Sequence, residues 1–384
     1  MSQQASTAIT QTDATLLPLE VIIHILSYIP QREASQPTFW ACARVSRAWY
    51  LATIRFLYQR PYLSGGNFDL FVRTLCPSIN ARVTPSPLAR LVKRLDMSTL
   101  VHHSNRSLTA RLLGRVKANI EEFSAPQASF AINSLAALSK CTHLRVLDLA
   151  WVSASIDQSL LFQAIGSLEN LEILYYPRNS GGAWDQTKEE AKRFKWPPKL
   201  KELYLSGGIG DYFLENHLIR VPESLEQLDI TNCPQVSAYA LLKTLEVLGS
   251  QLFHLTIRHP MNNLHVGDLD YIFTICPSLF MFKISADYIS ENMFDAIPEG
   301  HGLCCLELDC SSTADDDVDI RPTKIYEAVE QGRLPDLRRV KASVRLAWTA
   351  TESSKERLRD LANLIEKREE EDPVGIEPAV WVIS

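Results

Sequence analysis

The chain has 384 residues, 46% of them apolar and 22% charged, with a net charge of −6. That length suits two or three ordinary domains, or one solenoid with a small appendage. The weak negative charge argues against nucleic acid as a partner. The absence of any run of about 18 apolar residues argues against a membrane span.

Residues 1–15 are polar, carry no Lys or Arg, and are expected to be disordered. A secretory signal needs a basic start and an apolar core, and a transit peptide needs Arg, so a cytoplasmic or nuclear protein is expected. Eight cysteines stand at 42, 76, 141, 233, 276, 304, 305 and 310, with no C-x-x-C pair. In a reducing compartment they read as buried small hydrophobes, and neither a metal site nor a cofactor is expected.

Residues 16–60 read as three short helices. The first opens Leu17, Pro18, Leu19, Glu20, with proline at the first helical position and an acid in the first turn. Val21, Ile22, Ile25, Leu26 and Ile29 form its apolar face, and Pro30 ends it. A second helix covers Phe39, Trp40 and Ala43. A third starts after Ser46 and carries Trp49, Ile54, Phe56 and Leu57. Forty-odd residues make a poor core alone. This stretch is so apolar that a neighbouring repeat or another chain must cover part of it.

Residues 61–90 read as a linker and a first helical segment. From 91 to 350 a phrase of the form L-x-x-L-x-L recurs. Its clear copies begin at Leu144, Leu171, Leu200, Leu225, Leu252, Leu279 and Leu303, with a weaker copy at Leu337. The spacings are 27, 29, 25, 27, 27, 24 and 34, close to the 20–29 residues of leucine-rich repeats. The long last interval holds Asp315, Asp316, Asp317 and Asp319, a loop insertion. Two degenerate copies, at Val92, Leu95, Met97 and at Ile120, Phe123, Ala125, precede the clear ones.

Between phrases lie helix-period runs: Leu160, Leu161, Ala164, Ile165, Leu168 after Asp157; Leu241, Leu242, Leu245, Leu248 after Ser237; Leu269, Ile272, Phe273 after Asp268. The Ser or Asp ahead of each is a candidate N-cap. Strand then helix makes one solenoid coil, which buries its leucines only by stacking on its neighbours. The fold class predicted is therefore α/β: a leucine-rich-repeat horseshoe, parallel strands on the concave face and helices on the convex face, behind a small helical module.

The alternate strand positions point outward. Val146, Asp148, Ile173, Tyr175, Glu202, Tyr204, Gln227, Asp229, His254, Thr256, Met281, Lys283, Cys305, Glu307, Arg339 and Lys341 are then the concave surface. It is mixed in chemistry, without clustered Arg for phosphate capture. Tyr175, Glu202, Tyr204, Asp229, His254, Lys283 and Glu307 are the candidate partner-binding residues, the tyrosines because they bury area and keep a polar tip.

Residues 351–372 read as a capping helix with Leu358, Leu361, Leu364 and Ile365 on one face. The acidic run at its C-terminal end opposes the helix dipole and predicts fraying. In the tail, 373–384, the apolar Val380-Trp381-Val382-Ile383 either adds to the sheet edge or lies free.

Leu17-Pro18-x-Glu20, then Ile25-Leu26-x-Tyr28-Ile29-Pro30, then Val45-Ser46-Arg47-Ala48-Trp49 together resemble an F-box. With the repeats behind them, the chain resembles the F-box/leucine-rich-repeat proteins. The Phe39-Trp40 pair departs from the smaller aliphatics usual there. The resemblance implies docking on the Skp-type adaptor of a cullin–RING ubiquitin ligase (the SCF complex), with the repeats holding a protein substrate. It implies that Leu17, Pro18, Leu19, Ile22, Ile25, Leu26, Val45 and Trp49 are adaptor-contacting or module-core residues.

No residues are arranged for catalysis. Gly207-Gly208-x-Gly210 lacks the Lys-Ser/Thr of a phosphate loop and reads as a turn between strand and helix. His102-His103 has no H-E-x-x-H companion, and no G-x-S-x-G elbow occurs. The alternative to a ligase adaptor is a repeat scaffold whose N-terminal helices only cap the solenoid.

Overall fold

A computed structural model describes residues 17–77, 86–100, 106–180, 194–312 and 319–383. The acidic stretch 315–317 and His102-His103 lie outside the described residues.

Three helices open the chain: α1 (Leu19–Ser27), α2 (Gln36–Cys42) and α3 (Arg47–Gln59). Pro18 is not the first helical residue, as the sequence suggested, but the extended residue before it; its carbonyl accepts from the amides of Val21 and Ile22. Proline fits there because its φ is fixed and it has no N–H to satisfy. Ser46 caps α3 by accepting from the Trp49 amide at 3.3 Å. Ile22, Leu26, Phe39, Ala52 and Phe56 form a core of their own, separate from the rest of the molecule. The Phe39 ring is buried in it, stacked on Phe56 with centroids 5.6 Å apart.

Eleven strands follow: β1 (Arg94–Asp96), β2 (Glu122–Ser124), β3 (Val146–Asp148), β4 (Ile173–Tyr175), β5 (Glu202–Ser206), β6 (Gln227–Thr231), β7 (His254–Arg258), β8 (Met281–Ser285), β9 (Cys305–Asp309), β10 (Arg339–Ser343) and β11 (Ala379–Ile383). They form one sheet in sequence order, and every pair is parallel. β1 to β10 fall on the ten phrases read from the sequence. The middle leucines stand side by side in register, Leu147 beside Leu174, then Leu203, Leu228 and Leu255. Each is at most 1% exposed. Burying one such side chain contributes about 1.5–3 kcal/mol, and it is buried only because a neighbouring coil covers it. One continuous core therefore runs from Leu63 to Ile365.

Asp157 and Ser237 cap their helices, accepting from the amides of Leu160 and Ala240. Asp268 does not. Its carboxylate turns back to the His265 amide at 2.7 Å, and the helix starts four residues later, at Ile272. Gly207, at φ 77°, turns the chain after β5, and its amide and that of Gly208 are spent on the carbonyls of Asn232 and Arg178.

The module joins the solenoid through the end of α3. The Gln59 carbonyl accepts from the Lys93 amide, Tyr58 stacks on Phe71, and Arg60 meets Glu122 at 2.9 Å. At the other end, the helix Glu352–Glu371 buries Leu361 and Ile365. The helix runs to Glu371, and near its acidic end Glu369 accepts from Arg338 and from two backbone amides. Of the two courses open to the tail, it takes the sheet edge, pairing with β10 as β11.

Candidate interaction surfaces

The module divides the eight residues picked out by resemblance into two groups. Ile22 and Leu26 are core, at 1% and 0% exposed, and Trp49 is packed against that core. Leu17, Pro18, Leu19, Ile25 and Val45 face solvent. The sequence could not make this division, because one α1 face carries both sets: Ile22 and Leu26 turn inward, while Val21 and Ile25, one residue earlier in each pair, turn out. Tyr28, Trp40, Tyr50 and Leu51 add further exposed apolar area. The Arg44 guanidinium lies 4.4 Å from the Trp40 ring centroid. So much apolar surface on a three-helix unit marks an interaction site.

The second surface is the open face of the sheet. Tyr175 and Tyr204 are cross-strand neighbours, with rings stacked at 4.1 Å between centroids and 11° between planes. A chain of hydrogen bonds continues sideways. Tyr204 donates to Glu202 at 2.9 Å and accepts from Gln227 Nε2 at 2.8 Å, and Gln227 Oε1 lies 3.1 Å from His254 Nδ1. Burial and the Glu202 carboxylate push the Tyr204 phenol well above its ordinary pKa. Burial lowers that of His254 and raises that of the Asp229 carboxyl, which accepts from Thr231 at 2.5 Å. Thr256, expected on this surface, is buried at 7%, hydrogen-bonded to Asp229.

Further along, Glu307 gathers cations: Arg258 at 2.6 Å, Lys283 and Lys341 each at 3.6 Å. Arg258 was missed in the sequence because it lies one outward position beyond the pair mapped for each strand. The structure thus brings Tyr175, Glu202, Tyr204, Asp229 and His254 into one patch, and Lys283 and Glu307 into a second.

Among the described residues, no group of three His, Cys, Asp or Glu is placed to hold a metal, and no helix is long and apolar enough to cross a membrane. The thiols of Cys141, Cys233 and Cys276 are buried, and burial pushes each up to about 12. Such thiols are poor nucleophiles.

The F-box-like family model matches residues 14–64. Protein pof5 of Schizosaccharomyces pombe is 30% identical over 358 residues, covering 92% of this chain and 97% of that protein. F-box protein YDR306C of Saccharomyces cerevisiae is 31% identical over 85% of this chain and 66% of its own length. This chain belongs to the F-box proteins. Its F-box is the unit whose core and exposed apolar face are described above, and the match to pof5 runs on through the repeats. In the crystal structure of the Rad7 and Elc1 complex in yeast, one chain is similar at 17% identity and a TM-score of 0.49, over 81% of this F-box protein and 93% of that chain.

Proposed function

We propose that this F-box protein is the substrate-recognition adaptor of an SCF-type ubiquitin ligase in the cytoplasm or nucleus. Its helical module docks on a Skp-type adaptor and through it on the cullin–RING ligase. The sheet face binds the protein to be ubiquitinated, and other subunits carry out ubiquitin transfer.

The observation that carries this reading is the exposed row Leu17, Leu19, Val21, Ile25 and Val45 on a module whose own core is already closed. Apolar side chains left in water on a small unit represent unused burial energy, at roughly 25 cal/mol per Å². A scaffold whose helices merely cap the solenoid would turn that row onto the repeats. Instead the module meets the repeats through Tyr58, Gln59 and Arg60.

The test is co-purification of the full chain with a Skp-type adaptor, wild type beside the double variant Leu17→Ala, Pro18→Ala. One-to-one retention that the variant loses, with the repeats still folded by circular dichroism, supports the reading. A folded wild-type protein that retains no adaptor leaves a repeat scaffold.

A further inference from the structure

The open face of the sheet is divided by charge. On β7 to β10 it carries Arg258, Lys283, Arg339 and Lys341, three of them paired with Glu307. On β3 to β6 the outward positions carry Asp148, Glu202 and Asp229 and not one Lys or Arg. Four residues of this acidic half stand in one cross-strand row, Asp148 beside Tyr175, Tyr175 beside Tyr204, Tyr204 beside Asp229. The two rings stack across the strands on one face each, and both side chains are only half-buried. On the side away from the stack, the strand next to Tyr175 is β3, with Asp148 at the paired position, and the strand next to Tyr204 is β6, with Asp229. Each ring is thereby flanked by a carboxylate-bearing position one strand away, at the roughly 4.8 Å spacing of a sheet.

Neither carboxylate has an ion-pair partner among the described residues. Asp148 accepts only from the Ala150 amide, and Asp229 from Thr231 and Thr256. Burial raises the pKa of both; no cation offsets this at Asp148, which the Asp96 charge raises further, while at Asp229 the charges of Arg258 and Lys283 offset it only in part. The rings are held by stacking and by the Tyr204 bonds to Glu202 and Gln227, so little rotamer entropy is lost when a ligand arrives. A flat cation that lies on a ring face and forks onto a carboxylate satisfies both groups at once. The guanidinium does this better than the compact, strongly hydrated ammonium.

We propose that the Tyr175–Tyr204 stack, with Asp148 and Asp229, is a receptor for arginine side chains in an exposed basic segment of the captured protein. This rests on the sheet face being the target-binding surface.

The full chain is titrated against a fluorescein-labelled Gly-Arg-Gly-Arg-Gly peptide by fluorescence anisotropy, beside its lysine, citrulline and glutamate counterparts. The arginine peptide is expected to bind most tightly and the glutamate peptide not at all. Asp148→Asn with Asp229→Asn is expected to raise Kd at least tenfold, and Tyr175→Ala with Tyr204→Ala to do the same. Tyr175→Phe, which keeps the stack, and Lys283→Gln with Lys341→Gln are expected not to weaken it. An arginine peptide that does not bind, or that binds the Asp148→Asn, Asp229→Asn protein as well as wild type, overturns the proposal. So does equal binding of arginine and citrulline peptides. Adaptor retention and peptide binding, both measured on the wild-type chain, separate the two readings. Peptide binding without adaptor retention in wild type removes the ligase role and keeps the receptor; adaptor retention without peptide binding does the reverse.

Discussion

Arg338 Nε donates to Glu369 Oε2 at 2.6 Å, and the guanidinium is fully buried. It also donates to the carbonyls of Pro335 and Asp372, at 2.8 and 2.7 Å. Glu369 in turn accepts from the amides of Val374 and Gly375, and these bonds, with that from Arg338, hold its carboxyl below the usual range. One ion pair therefore fastens the C-terminal helix to the last coil and forms the turn that leads into β11. Arg338→Ala would leave buried carbonyls without a donor. Losing those bonds should show as a lower urea midpoint with early exchange of the β11 amides. A variant with a wild-type midpoint would refute the lock.

The division of the F-box residues gives opposite outcomes for neighbouring positions on α1. Ile22→Ala and Leu26→Ala open cavities in the module core and should each cost about 2–5 kcal/mol of module stability. Ile25→Ser and Val45→Ser remove exposed side chains and should change stability by less than about 0.5 kcal/mol. They should nevertheless weaken adaptor retention. Pull-down and thermal unfolding on the same four proteins check this. If Ile25→Ser unfolds the module, the assignment of faces is wrong.

The solenoid was legible because its signal repeats. No single Leu-x-x-Leu-x-Leu phrase means much, but ten of them gave ten strands, even where Ile120, Phe123 and Ala125 stand in for leucines. The outward face was legible for the same reason, since strand alternation assigns Tyr175 and Tyr204 to one side. Their stacking, and the pairing of Arg258 with Glu307 two strands away, depend on register and rotamer, which a one-dimensional pattern does not carry. Asp268 was misread because a Ser or Asp before an apolar run also closes turns. β11 was left open because it follows a 20-residue helix and has no leucine phrase of its own.

Coil-to-coil spacing leaves no room at Gly249. A Cβ there would lie 2.2 Å from the Ile275 carbonyl oxygen and 2.9 Å from Cys276 Sγ, both in the next coil. Gly249→Ala must push two coils apart and should cost about 1–3 kcal/mol, as overpacking does. Gly114, exposed inside the helix Arg106–Val116, has nothing within 4 Å of its Cβ position. Gly114→Ala should instead stabilise by about 0.5–1 kcal/mol, through helix propensity. Urea denaturation of the two variants should show midpoints moving in opposite directions.

His217 sits in a cluster of rings, 5.3 Å from Phe162 and 5.4 Å from both Phe194 and Phe213, with its Nε2 buried and unpartnered. Burial, helped by the charge of Arg220, pushes its pKa down to about 4. In the unfolded chain the imidazole titrates near its ordinary value of about 6.5. Between those values the unfolded state holds a proton that the folded state refuses, so its stabilising effect is whole above pH 6.5 and is lost as pH falls toward 4. The full shift corresponds to roughly 3–4 kcal/mol. His217→Phe keeps an aromatic ring in the cluster and removes the titration. Its unfolding free energy should therefore fall less than that of wild type between about pH 6.5 and 4, with the two curves parallel above about pH 7. His301, also held down by burial, titrates alike in both proteins and cancels from the comparison. Curves that stay parallel across the whole range would mean that His217 is protonated as readily in the fold as out of it.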